Sequence, residues 1–483
     1  MKKIFISILL CICVFANAQP FRFIVAADGS GTHTTLQSAI DACPDNVRSV
    51  IFIKNGTYYG QTYLGTKTLA STKLISLIGE SRNQVILTYD KSLPMVTKFE
   101  DATTFQIYAK DFYAENVTFE NTAGVSAGQA LALYTAGDRA TFKNCYLKGF
   151  QDTYRSKKGT RAYLKDCKIE GTVDFIYAGG TVFFDYCELH CLQGGGYIAA
   201  PEDAYLAIPR TSTVCDKFIR LGFIFRNCNI TAQTGVADNS YYLGRPWNTT
   251  AGAYYLNCKL GKHINPKGWK EWNGSETTAS FAEYNSMNAD GTPADVSGRV
   301  SWSFQLPEAD VTNLFTTAGI YARISSELYQ PEPICVSPSA PTSVIVVGNN
   351  ISWLAVNGAV GYVLLKDGKY LASLSELTFA DNSGVSGTYS VKTVGTLGVM
   401  SEATSSSTAI VEIKNSELQA TVTNGMISLS KQATVSIYSV SGEKVATAFN
   451  CISLQISYLT KGIYFLKMKD LNGNLANQKI IIN

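Results

Sequence analysis

A chain of 483 residues is longer than one ordinary core accommodates, so two or three domains are expected. Charged residues make up 16% of it, against 27 tyrosines, 23 phenylalanines and 39 glycines, which suits a β-rich exported protein better than a helical cytosolic one. The formal net charge is +3, falling to about +1 without the two lysines of the first eighteen residues, so there is no electrostatic case for nucleic acid or an anionic membrane as partner.

Met1-Lys-Lys3, the apolar run Ile4–Phe15 and Ala16-Asn-Ala18 have the three parts of a secretory signal peptide, assigned to residues 1–18. The run is too short to span a bilayer comfortably, and a lipoprotein reading through Cys11 or Cys13 is opposed by the bulky residues before them. Thr34–Cys43 is the clearest helical segment, with Leu36, Ala39, Ile40 and Cys43 on one face, suited to covering the open end of a sheet. Val50–Ile53, Leu74–Ile78 and Val85–Thr88 read as strands, with Asn55-Gly56 and Gly79 as turns.

From there a repeat takes over. Asn144-Cys-Tyr-Leu147, Asp166-Cys-Lys-Ile169 and Tyr186-Cys-Glu-Leu189 set Cys145, Cys167 and Cys187 at intervals of 22 and 20 residues. Looser copies occur at Asn116-Val-Thr-Phe119, Asn227-Cys-Asn-Ile230 and Asn257-Cys-Lys-Leu260. A period near 22 residues with short alternating strands indicates a solenoid, here a parallel β-helix running to about Trp302. Cysteines that recur once per coil read as a ladder of small buried residues. In an exported chain Cys167 and Cys187, on neighbouring coils, are also the pair placed for a disulfide. With no CxxC and three histidines (His33, His190, His263), neither a metal cage nor a cofactor is expected.

The same period brings chemistry together. Gln129, Gln151, Asp152 and Asp174 recur at one-coil spacing, and residues one coil apart stack at about 4.8 Å. Paired carboxylates so close do not both ionise easily, so one acts as acid and the other as nucleophile or base. Leu243-Gly-Arg-Pro-Trp247 offers the arginine that would decide between them. Gly124-Val-Ser-Ala-Gly128 matches a serine-hydrolase pattern but lacks the strand-to-helix context, and is read as a glycine-flanked turn.

Pro331–Pro341 is proline-rich and is taken as a linker (331–342) after a catalytic domain at 19–330. Residues 343–412 alternate like strands, with Trp353, Gly361-Tyr362 and Gly387-Thr-Tyr389 spaced as in a fibronectin type III sandwich, which they resemble. Residues 413–483, with Val435-Ser-Ile-Tyr-Ser-Val-Ser-Gly442 and Leu459-Thr-Lys-Gly-Ile-Tyr-Phe-Leu466, resemble the C-terminal sorting domain of the bacterial type IX secretion system. The expected fold is therefore all-β: a right-handed parallel β-helix followed by two small β-sandwich domains.

Asp28-Gly-Ser-Gly31, Gly128-Gln-Ala-Leu-Ala-Leu133, Gln151-Asp-Thr153, Gly171-Thr-Val-Asp-Phe-Ile176 and Leu243-Gly-Arg-Pro-Trp247 resemble, in order, the motifs of the pectin methylesterases. Pro266-Lys-Gly-Trp-Lys-Glu-Trp272 and Ala282-Glu-Tyr284 continue the likeness, over roughly residues 21–325. The resemblance implies hydrolysis of methyl esters in homogalacturonan without a cofactor. It implies Asp174 as nucleophile, Asp152 as general acid and base, Gln151 and Gln129 as oxyanion donors, and Arg245 as the partner of Asp174. Trp247, with Trp269 as a second, would stack on sugar, and Tyr177 lies near the site. Tyr177 and Tyr154 stand where phenylalanine and leucine are commoner, Ala178 where glycine is usual, and Ile198-Ala-Ala-Pro201 departs from the family run. A polygalacturonase or pectate lyase, and a non-catalytic adhesin, are the competing readings; the paired glutamines favour carbonyl chemistry over glycosidic cleavage, and the complete set of Gln129, Gln151, Asp152, Asp174 and Arg245 argues against an adhesin. The expected partners are pectin and the export machinery, with no nucleic acid. The protein is expected to be a monomer, secreted or at the cell surface.

Overall fold

Short apolar strands separated by residues that tolerate a left-handed backbone make the coils. The computed structural model describes residues 20–202, 207–208, 219–408 and 418–482; the expected signal peptide lies outside them. Three parallel sheets of eleven, nine and seven strands wind into a right-handed β-helix. Their register gives the coil period directly: Tyr154 pairs Ile176, Leu147 pairs Ile169 and Phe142 pairs Leu164, each 22 residues on.

The Asn-Cys repeat is one corner of that coil. Asn116, Asn144, Asp166, Tyr186, Asn227, Asn257 and Asn285 all have φ between 47 and 59°, turning the chain from the eleven-stranded to the nine-stranded sheet. Asparagine and aspartate tolerate this conformation best among residues with a side chain. Their amides also ladder: Asn144 Nδ2 donates to Asn116 Oδ1 at 2.7 Å and Asn285 Nδ2 to Asn257 Oδ1 at 2.9 Å. The following residue turns inward, where only a small side chain fits between aromatic layers such as Phe184, Phe225 and Tyr255, stacked at 4.8 and 4.4 Å.

That inward residue corrects one expectation. Cys167 and Cys187 are not bonded; both are free buried thiols, as are Cys145, Cys228 and Cys258. The thiols point in parallel, and Cys187, Cys228 and Cys258 each donate to a carbonyl of the preceding coil, Leu164, Phe184 and Phe225, at 3.3 Å. Burial pushes the Cys145, Cys187 and Cys258 thiols well above their ordinary range, leaving them inert.

The N-terminal helix is Leu36–Ala42, capped by Thr35, whose hydroxyl accepts from the Ser38 amide at 3.2 Å. Leu36, Ala39 and Ile40 enter the solenoid core. At the other end, Glu308–Leu314 and Thr317–Ile324 lay Phe315, Ile320 and Tyr321 on the outside of the eleven-stranded sheet against Tyr163, Phe183 and Tyr254. Part of the proline-rich segment belongs there too, since Pro331–Ile334 is a helical turn and Cys335 is buried in the same cluster.

The chain divides into two compact units, the first running to Ala340 and including Ala355–Glu376 and Val391–Ala403. Its late segments hold a hairpin, Gly361–Lys366 with Lys369–Leu374, whose Val363 and Leu365 pack with Phe21, Phe52 and Ile78. The second unit comprises Pro341–Leu354, Leu377–Ser390 and Thr404–Asn483, so residues 343–412 contribute to both. Its five C-terminal strands, from Ala420–Thr423 to Leu475–Ile482, are antiparallel and close over Ile427, Val435, Ile437, Leu466 and Met468.

Since the nine described cysteines are thiols, the denatured protein should alkylate at every one of them without reductant. The native solenoid should protect the ladder. Mass spectrometry showing a Cys167–Cys187 peptide pair would contradict this.

Candidate active site

The seven-stranded sheet carries the site on its solvent face. Strands Leu131–Thr135, Tyr154–Ser156, Val173–Ala178, Tyr197–Pro201 and Tyr242–Gly244 follow one another across it. Asp152 and Asp174 each sit just ahead of, or at the start of, their strand in the left-handed region, at φ 65 and 49°. A bulge between Val173 and Ile176 interrupts the pairing with the next strand and re-aims Asp174. Ala178 is also left-handed, at φ 76°, which explains why glycine is the easier residue there. Such strained positions concentrate at functional sites.

The two carboxylates differ in their partners. Arg245 closes a two-pronged bond on Asp174, Nε to Oδ1 at 3.0 Å and Nη2 to Oδ2 at 2.6 Å. The arginine reaches it from two coils away, its own amide bonded to the Ala199 carbonyl at 2.9 Å. Its guanidinium is sandwiched between the rings of Tyr197, at 3.9 Å, and Trp272, at 4.0 Å. Burial raises the Asp174 carboxyl above its ordinary value, and the Arg245 bond opposes that rise. Asp152 has no such fork. Burial first, and the Asp174 charge second, push it well above the carboxylate range, with Arg155, the Tyr177 hydroxyl and Arg245 opposing. The surroundings thus favour the protonated form more strongly at Asp152 than at Asp174, whose charged form the Arg245 fork supports.

Gln129 and Gln151 lie on adjacent coils, one residue out of register, the Ala130 amide donating to the Gln151 carbonyl at 3.2 Å. Both are half-buried, and neither side-chain amide has a hydrogen-bond partner among the described residues. Trp247 is 41% exposed and its ring lies 6.0 Å from that of Tyr177, so together they form an aromatic wall.

Trp269 is the misplaced expectation. Its side chain is fully buried, packed on Phe281 at 4.8 Å and Tyr255 at 5.6 Å inside the solenoid, and has no face to offer a ligand. Trp272, three residues on, is the tryptophan of that motif that reaches the site. Tyr197, Trp272 and Arg155 were not singled out from the sequence. Arg155 could have been found from the period, because Tyr134, Arg155 and Tyr177 align across three strands. The serine-hydrolase pattern is a tight turn, with Gly124 and Gly128 at φ 106 and 80°.

Residues 22–321 match the pectinesterase family, and residues 420–483 the secretion system C-terminal sorting domain. The chain belongs to the pectinesterase family. It is 30% identical over 307 residues to pectinesterase 4 of Arabidopsis thaliana, covering 62% of this chain and 50% of that protein. It is 34% identical over 308 residues to a pectinesterase/pectinesterase inhibitor of Prunus persica, covering 62% and 55%. The chain thus spans about half the length of the curated relatives it matches. Among solved structures, the pectin methylesterase from carrot superposes with TM-score 0.56 at 28% identity, over 64% of this chain and 95% of that one. A pectin methylesterase in complex with a hexasaccharide superposes with TM-score 0.51 at 26% identity, over 65% and 99%. The sorting domain marks the protein for secretion or the cell surface.

The two tryptophans should separate cleanly in chemical denaturation. Trp269→Ala empties a packed core position and should cost about 3–5 kcal/mol, whereas Trp247→Ala should stay within about 0.5 kcal/mol of the parent.

Proposed function

We propose that the protein is a pectinesterase that hydrolyses the methyl esters of homogalacturonan to pectate and methanol. One observation carries the reading: two carboxyls one coil apart, of which Asp174 alone is held by an arginine fork. The names of the relatives supply the substrate class, and the hexasaccharide complex of a related esterase supports an oligosaccharide in the groove.

The ionised Asp174 attacks the ester carbonyl. The side-chain amides of Gln129 and Gln151 donate to the oxyanion that develops, a service worth roughly 10²–10³ in rate per donor. Collapse breaks the bond to methoxide, which takes the Asp152 proton and leaves as methanol, with galacturonate joined to Asp174 as an anhydride. Asp152, now charged, draws a proton from water as the water attacks that anhydride. Hydrolysis frees galacturonic acid, which loses its proton to solvent, and returns Asp174 ionised and Asp152 protonated. Arg245 keeps the nucleophile charged and oriented, and Tyr197 with Trp272 holds Arg245. Trp247 and Tyr177 offer flat apolar surface for pyranose rings. Glycosidic cleavage develops no oxyanion for the two amides to hold, which supports the esterase over a polygalacturonase.

Asp174→Asn and Asp152→Asn should each lower methanol release by at least about 10²-fold; a variant keeping a tenth of the activity would remove that residue from its role. Arg245→Ala withdraws the cation that opposes the raised Asp174 carboxyl, so its pKa should climb further. Because activity needs Asp174 ionised, the acidic limb of the kcat/KM profile should move to higher pH. An unmoved limb would count against the pairing.

A further inference from the structure

Arg155 is a cation beside the site that the ester chemistry leaves unused. Tyr154 and Ser156 point inward and are buried, which turns Arg155 to the solvent face of the seven-stranded sheet. Register sets it between Tyr134 on one coil and Tyr177 on the next. Its guanidinium lies 3.7 Å from the centre of the Phe99 ring, 5.2 Å from Tyr134 and 5.6 Å from Tyr177. The Tyr177 hydroxyl is its one side-chain hydrogen-bonding neighbour among the described residues, and its Nε is buried with no acceptor. The forks of Arg161, Arg226, Arg245 and Arg299 all close on carboxylates, Asp138, Asp185, Asp174 and Glu283. Among the described residues no carboxylate lies within 4.0 Å of Arg155.

The aromatic walls satisfy only part of this group. Ring faces attract the cation, but in-plane N–H donors need an acceptor in the plane of the guanidinium. A planar carboxylate is the anion that fits, because it takes two parallel hydrogen bonds. Rings beside the cation would stack on the sugar that carries such an anion. Phe99 also lines a cavity of about 720 Å³, with Tyr63, Lys67, Lys98, Glu100 and Asp101, a volume that could take further sugar units.

Resting on the pectinesterase reading, we propose that Arg155 binds the free carboxylate of a galacturonate unit neighbouring the one whose ester is cut. The enzyme then prefers partly de-esterified to fully esterified chains. Each turnover makes a carboxylate from an ester, so the product of one cycle creates the group that the next cycle recognises.

The test measures methanol release by the full-length protein and its Arg155→Gln and Arg155→Lys variants. The substrates are fully methyl-esterified oligogalacturonates and oligomers of the same length with half the esters removed. The parent should favour the partly de-esterified substrate in kcat/KM by about 10-fold or more, the scale of a charge-assisted bidentate contact. Arg155→Gln should bring that ratio close to one, chiefly through KM on the carboxylate-bearing substrate, and Arg155→Lys should keep part of it. The preference of the parent should shrink with added salt. A parent without the preference, or an Arg155→Gln variant that loses activity on both substrates by one factor with the ratio intact, overturns the proposal and leaves Arg155 a structural or Asp152-tuning residue. Thermal melts show that each variant is folded. If the parent releases methanol from neither substrate, the pectinesterase reading itself falls.

Discussion

Parallel hydrogen bonding between successive coils is the constraint on which the site depends. The bonds that set Tyr154 against Ile176 also set Asp152 one coil from Asp174. The step from Leu133 to Tyr154, one residue shorter, sets Ala130 beside Gln151 and so brings Gln129 to within one residue of it on the next coil. A ladder of this kind has a rise of about 4.8 Å that does not vary with the side chains it carries. Functional groups can therefore be held close without any contact of their own, and the framework bears the cost of crowding two carboxyls.

That crowding shapes the electrostatics of the pair. On a buried sheet face each carboxyl resists ionisation, and the charge of one raises the other further. Arg245 breaks the symmetry by bonding to Asp174 alone. The same environment thus gives two residues of one type different proton affinities. The arginine in turn packs against the rings of Tyr197 and Trp272. A left-handed backbone at both aspartates, and the bulge at Asp174, add strain that the stacked coils on either side hold in place.

Arginine is used in contrasting ways on the two outer faces. On the eleven-stranded sheet Arg161 is fully buried, its fork on Asp138 and another donor on the Glu327 carbonyl, so it ties the C-terminal helices to the coils. On the seven-stranded sheet Arg155 is surrounded by rings and lacks a carboxylate among the described residues. The difference is chemical completeness: one fork is closed on a carboxylate, and the other is enclosed by ring faces and the Tyr177 hydroxyl.

The amino-acid sequence alone determined the coil, its corners and the central pair of carboxyls. In a parallel solenoid a sequence period is a spatial period, so Asn-Cys repeats and Gln/Asp repeats could be read directly as stacks. The helix at Leu36–Ala42 was legible for a similar reason, its apolar face having a period of its own. Tertiary structure decided what has no period. Trp269 is buried because a parallel bridge to Gly244 keeps it on the ladder, and Trp272, just beyond that bridge, reaches Arg245. Phe99 meets Arg155 from a short helical turn outside the repeat. Pro331–Ile334, which reads as linker, packs down because Tyr329 and Cys335 find apolar partners far away in sequence. In the ladder of free thiols, Cys187, Cys228 and Cys258 each donate to a carbonyl on the preceding coil, a choice of partner that the sequence does not show. Backbone hydrogen bonding repeats and can be read along the chain, whereas side-chain exposure and partner choice arise only when segments without a period are packed against it.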